Sequence, residues 1–317
     1  MSRAQLTSTV EQNSAGAAAP VVGGKNFVIN GGMDFNQRGS AAVSATNAYC
    51  LDRWYVSGFG SGANNSFGQI GTGDGPANFK NYLRYGQGAG TTSTNFFLSQ
   101  SLETLNVIPL QGKTVTFSFW YRTATAFTGS WTAGIYTSTA TDSNINTLWY
   151  YGNTVASVSL TNSSGWSYAK VTGIIPSNAN SLAVGFSSTT NIVANATFDV
   201  TGVQLEQGSV ATPFSRAGGT LQGELALCQR YYEVSSGNTI FSGNVTSGVT
   251  YYTTASFKVT KRTSPSVTFT SQGFTGFASG APTSYQSGNT EIWCGNAANS
   301  TTNGGFFQFT YVASAEL

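Results

Sequence analysis

No histidine occurs in the 317 residues. Its absence removes Ser-His-Asp and Cys-His catalysis, zinc held by imidazole, and ordinary pH switching near neutrality. Charge is scarce too. Asp, Glu, Lys and Arg make up 8% of the chain, with 14 basic and 12 acidic residues and a net charge of +2. Without a basic run, nucleic acid is not expected as the main partner. No apolar run approaches the length of a membrane span, so membrane insertion is not expected. The opening Met1-Ser2-Arg3-Ala4-Gln5-Leu6-Thr7 lacks the apolar core of a secretory signal. The cysteines, Cys50, Cys228 and Cys294, are odd in number and have no metal-ligand spacing. Buried free thiols are expected of them.

What the chain has instead is glycine, small polar residues and rings. There are 38 glycines, and aromatics reach 13%, too many for a disordered chain. Residues 114–122 alternate strictly: Val115, Phe117, Phe119 and Tyr121 on one face, Thr116, Ser118, Trp120 and Arg122 on the other. This is the period-two pattern of a half-buried antiparallel strand. Shorter strands are expected at 26–29, 51–56, 81–85, 96–102, 132–137, 148–151, 155–160, 167–175, 181–186 and 196–205, with Asn/Ser/Gly turns between them. Many short strands without intervening helices indicate a β-sandwich or jelly roll. Residues 198–214 mark its closing strand. Phe198 and Val200 share a face, yet after Gly202 the apolar positions are Val203 and Leu205, a phase slip that predicts a bulge.

Beyond Gly218-Gly219 the pattern changes. Leu221, Leu225, Cys228 and Tyr232 fall at helical spacing behind Thr220, a capping residue, so one helix is predicted there. Strands return at 239–242, 250–258, 266–270, 291–294 and 306–312. The fold class is therefore all-β: a jelly-roll β-sandwich over 26–217, then a short helix and a second, smaller β-sandwich domain, together 218–317. That second unit, of about 100 residues, is large enough to fold alone. Residues 1–25 are Ala-, Ser- and Gly-rich and aperiodic. They read as a disordered tail, or as an arm that orders only against a partner.

Four stretches in order resemble phage tail-fibre and appendage proteins. They are 26–39 with Asp52-Arg53-Trp54; Leu98-Ser99-Gln100 with 110–120; 203–214 with Cys228-Gln229-Arg230-Tyr231-Tyr232; and the ending Ser314-Ala315-Glu316-Leu317. The resemblance covers roughly residues 26–317. It implies a first domain similar to carbohydrate-binding-module jelly rolls. It also implies a homotrimer on the virion, attached to other virion proteins through residues 1–25, that recognises host cell-surface glycan as a tail fibre. A head-decoration or head-fibre protein is the alternative. A glycan depolymerase is the least favoured, because its paired carboxylates, roughly 5–10 Å apart, have no signature in scattered Asp and Glu.

Glycan binding uses aromatic faces that stack on sugar rings, joined by a few planar polar groups. Trp120 and Arg122 stand on the polar face of their strand, where the core does not need a ring. Tyr150 and Trp166 are further candidate ligand-binding residues, in the company of Trp131, Trp149 and Tyr168. The competing reading is that these rings pack between sheets or at a subunit interface. Asp34 and Asp199 are candidate metal residues. Their segments resemble the first and last strands of carbohydrate-binding jelly rolls, where that resemblance implies a structural calcium. Calcium takes roughly six to eight oxygens, and Val200 stands where a second acidic residue is often found, so ordinary carboxylates are the favoured reading of the pair.

Overall fold

The computed structural model describes residues 25–39, 47–58, 66–71, 73–89, 96–123, 131–144, 153–188 and 192–317. Residues 1–24 of the expected arm and the strand expected at 148–151 lie outside them. In chain order the first body has β1 (Ala48–Leu51), β2 (Trp54–Gly58), β3 (Ser66–Ile70), β4 (Tyr82–Gly86) and β5 (Phe96–Leu102). A one-turn helix α1 (Thr104–Val107) follows. Then come β6 (Thr114–Thr123), β7 (Trp131–Ser138), β8 (Asn153–Leu160), β9 (Ser167–Ile174), β10 (Ser181–Ser188) and β11 (Thr197–Gln207). A second helix, α2 (Leu221–Gln229), leads to β12 (Tyr232–Val234), β13 (Thr239–Val245), β14 (Thr250–Ser256), β15 (Ser266–Thr275), β16 (Ser284–Ser287), β17 (Glu291–Ala297) and β18 (Thr302–Ser314).

The first body is an antiparallel β-sandwich. One sheet runs β1-β2-β5-β10-β7-β8 and the other β3-β4-β11-β6-β9. The inward residues of β6 do what their alternation predicts: Val115, Phe117 and Phe119 are fully buried. Phe119 meets Phe186 of the opposite sheet edge-on at 4.7 Å, and Trp131 stacks on Phe198 at 4.1 Å. The bulge is where the phase slip puts it. Gly202 has φ +61 and the β11–β6 register shifts between Thr201 and Gln204. The slip keeps Val200 and Val203 both in the core. The second body sandwiches a sheet centred on β18 against β14-β17-β16, around Ile292, Cys294, Phe307 and Phe309.

Three local expectations are corrected. Residues 51–56 are not one strand. Asp52 and Arg53 form the turn of a β1–β2 hairpin, with Arg53 at φ +69. Residues 26–29 form no strand either. The segment runs beside β11, with Phe27 N–H donating to Leu205 and Val203 N–H donating to Gly31, but Asn30 and Met33 take positive φ and break the ladder. Gly31 is required there, since a Cβ would stand 2.0 Å from the Val203 carbonyl oxygen. The helix forms where predicted, and Thr220 caps it by accepting from Gly223 N–H at 3.0 Å. Its buried face differs in part, though. Cys228 is buried as its spacing predicts, but Leu221 is exposed and Glu224 is buried, because the Glu224 carboxylate accepts from the backbone N–H groups of Asn30 and Gly218 at 2.5 and 2.7 Å. All three cysteines are free and buried, as their number and spacing suggested. Burial pushes the Cys50 and Cys294 thiols up to about 12.

Candidate functional site

The outward face of the sheet β3-β4-β11-β6-β9 carries Thr116, Ser118, Trp120 and Arg122 of β6. Register sets their neighbours. Trp120 lies between Thr201 of β11 and Tyr168 of β9, and Ser118 lies between Gln204 and Lys170. Arg122 lies opposite Asp199, which in turn faces Arg84 of β4. The face divides into an open end and a closed end.

At the open end is a groove of about 730 Å³. Its aromatic lining is Trp120, Tyr168, Phe79 and Phe214. The rings of Trp120 and Tyr168 sit 5.2 Å apart at 56°, and those of Phe79 and Phe214 5.0 Å apart at 67°. Tyr168 is 46% exposed. Phe79 owes its position to the bulge: a Cβ on Gly202 would come 2.6 Å from its ring. Phe214 owes its position to tethers. The Gln204 amide donates to Thr212 O at 3.2 Å and accepts from Ser215 N–H at 2.8 Å. Glu206 accepts from the Thr212 N–H and hydroxyl at 2.8 and 2.6 Å. Outward polar residues of β11 thereby hold segment 211–216 as a wall, so the groove is preorganised rather than formed on contact.

At the closed end Asp199, 1% exposed, accepts from Arg84 Nε and Nη2 at 2.7 and 2.8 Å and from Arg122 Nε at 2.6 Å. The bond to Asp199 holds the Arg84 guanidinium above its ordinary pKa. Arg122 also donates to Asp74 at 2.9 Å and to the Tyr82 hydroxyl at 3.0 Å. Its guanidinium carbon lies 4.9 and 4.8 Å from the ring centres of Tyr82 and Trp166. The Trp166 indole N–H donates to Asp74 O at 2.8 Å.

Of the expected ligand-binding residues, only Trp120 lines the groove. Arg122 and Trp166 belong to the closed end, where the guanidinium lies 4.8 Å from the indole ring centre. Tyr150, like Trp149, lies outside the described residues. Trp131 is a core residue. Of the two candidate metal residues, Asp34 pairs with Arg216 at 2.8 Å and Asp199 with two arginines. Among the described residues no group of three or more Cys, Asp or Glu could hold a metal ion. Phe79, Gln204 and Arg216, which also line the groove, carry no sequence signal. Phe79 sits in an aperiodic Gly/Asn-rich stretch, and Gln204 takes its face from the bulge.

No family model matches the chain, and no curated protein matches it. Several solved structures are similar. TmCBM61, determined in complex with β-1,4-galactotriose, is 15% identical over 58% of this chain and 99% of its own, with a TM-score of 0.36. A putative sugar binding protein from Bacteroides thetaiotaomicron VPI-5482 is 10% identical over 58% of this chain and 100% of its own, at 0.36. The enzymatically active domain of tailspike protein 4 of bacteriophage CBA120 is 14% identical over 58% of this chain and 21% of the compared chain, at 0.38. At these scores the likenesses carry no argument about the groove; the all-β sandwich architecture stands on the strand pairings themselves.

Proposed function

We propose that this is a non-catalytic glycan-recognition protein, and that the groove beside Trp120 is its contact surface. The carrying observation is the pair Trp120 and Tyr168 on the outward face of a sheet, walled by Phe79 and Phe214 and free of acidic side chains. A pyranose ring offers an apolar C–H face and an equatorial girdle of hydroxyls. Ring faces take up the former, and small polar groups such as exposed Asn78 suit the latter. Binding rather than cleavage is supported by the carboxylates. Of the 12 in the sequence, all but Glu11 lie among the described residues. Each of those accepts hydrogen bonds or forms an ion pair within the chain, from Asp34–Arg216 and Glu103–Arg230 to Glu233–Lys261 and Glu316–Arg38. The motif resemblance supports the finer reading: a virion tail fibre, homotrimeric, attached through residues 1–25 and turned toward host surface glycan.

Trp120→Ala tests the site. Loss of a stacked ring should weaken host-cell adsorption or glycan binding by about 1–3 kcal/mol, with the thermal midpoint nearly unchanged. A fall of the midpoint comparable to loss of a core Trp, about 3–5 kcal/mol, would make Trp120 a packing residue and end the proposal.

A further inference from the structure

The outer face of β14-β17-β16 in the second body carries rings that the core does not use. Ile292 and Cys294 of β17 point inward and are fully buried, whereas Trp293 between them is 58% exposed. Tyr252 of β14, paired with Gly295 on the same outward side, is 64% exposed. Monomer surfaces rarely leave such apolar area open without a use for it. Register brings the parts together. Tyr252 and Ser284 flank Gly295 from either side, and Thr254 and Gln286 flank Trp293. Between them lies a depression of about 490 Å³, lined by Tyr252, Ser284, Tyr285, Gln286, Trp293 and Gly295.

Two details make this a platform rather than a loose patch. Gly295 has no Cβ where one would stand 2.7 Å from a carbon of the Tyr252 ring and 2.7 Å from Ser284 Oγ. The tyrosine therefore lies down over the glycine, one ring face on the strand and the other toward solvent. Trp293 is held by its own strand: its indole N–H donates to Glu291 Oε1 at 2.9 Å. That bond fixes the ring and occupies the nearest carboxylate. Rings fixed before contact lose little entropy on binding.

The lining decides the chemistry of the occupant. It contains aromatic rings, the hydroxyls of two tyrosines and a serine, and one amide, with no aliphatic side chain and no charge. Nucleic acid and acidic lipid both call for cations. Tyr and Trp also anchor protein interfaces, so a second copy of the chain is the competing occupant, which sedimentation distinguishes. Flat rings flanked by Ser284, Gln286 and Thr254 fit a neutral ligand with an apolar face and many hydroxyls. We infer that this face is a second carbohydrate site, taking a neutral oligosaccharide, in which Tyr252 and Trp293 stack on sugar rings. It shares no residue with the Trp120 groove, so it stands or falls separately. With both sites occupied, one chain would grip a glycan-coated surface at two points, which raises avidity without new contacts.

The test uses the full chain labelled with 5-fluorotryptophan, which gives one fluorine signal for each of the six tryptophans. Trp293→Phe assigns the Trp293 signal. The protein is titrated with neutral trisaccharides of glucose, galactose, mannose and xylose. We expect the Trp293 signal to shift saturably with at least one of them, to do so equally in Trp120→Ala, and Tyr252→Ala to weaken that binding about tenfold or more. Three results overturn the inference. The Trp293 signal moves with none of the sugars; or its response vanishes in Trp120→Ala, which returns the binding to the groove; or it moves only with protein concentration while Trp293→Ala changes the sedimentation coefficient, which gives the face to a second copy of the chain.

Discussion

Trp120 and Arg122 leave β6 on the same side, two residues apart, and end in opposite circumstances. Trp120 meets Tyr168 and an open groove. Arg122 meets Asp199, Asp74, Tyr82 and Trp166 through Nε, Nη2 and the rings beside its guanidinium. The difference lies in what the next strand supplies. Opposite Arg122, β11 offers Asp199, a buried carboxylate that needs positive partners. Opposite Trp120 it offers Thr201 and then the bulge at Gly202, which leaves no side chain to cover the tryptophan. One sheet face thus has a locked half and a receptive half. The locked half braces β4, β11 and β6 against one another, and the receptive half is where a ligand can gain contact.

The strongest way to break this contrast is to unlock the closed half. Asp199→Ala leaves two guanidiniums facing each other, and removing one partner of a buried pair costs about 3–5 kcal/mol. Both arginines reach solvent in part, so a loss of about 3 kcal/mol in urea denaturation is expected. An unchanged midpoint would show that the ion pairs do not brace the sheet. Gly202→Ala attacks the boundary between the halves. A side chain at φ +61 costs about 1–2 kcal/mol, and its Cβ must displace the Phe79 ring. Glycan binding should fall along with stability, whereas Asp199→Ala should spare the groove rings. Binding by Gly202→Ala at full strength would mean that Phe79 is no part of the site.

The smallest effect sharpens the comparison by way of a carboxylate that has backbone N–H partners in place of arginine. Burial raises the Glu224 pKa above its ordinary 4.5, and the N–H groups of Gly218 and Asn30 only partly oppose this. A raised folded-state pKa means the folded protein binds the proton more tightly than the unfolded chain. The resulting stability is fully present below the unfolded value and is lost as pH rises through the folded one. Relative to Glu224→Gln, the native protein should therefore gain thermal stability as pH is lowered from neutrality toward 4.5. A native protein that loses thermal stability relative to Glu224→Gln on acidification would contradict the assignment.

The residue pattern alone determined that the chain is all-β, that β6 has one apolar and one polar face, that Gly202 is a bulge, that Thr220 starts a helix, and that Trp120 faces outward. Each follows from local stereochemistry: a period of two, a phase slip, a capping hydroxyl. Tertiary structure alone decided which outward residues remain available. Alternation puts Arg122 and Trp166 on the surface, but only the pairing of β11 with β4 and β6 brings Asp199 to neutralise two arginines, and that pairing joins residues roughly 80 to 120 positions apart in the chain. The same holds for Phe79 and Phe214, which reach one groove from segments with no periodicity, and for Glu224, whose burial on the helix reflects N–H donors on a distant turn. Local sequence specifies the direction in which a side chain points, but its partners come from strand order and register, and these are set by the collective burial of the core.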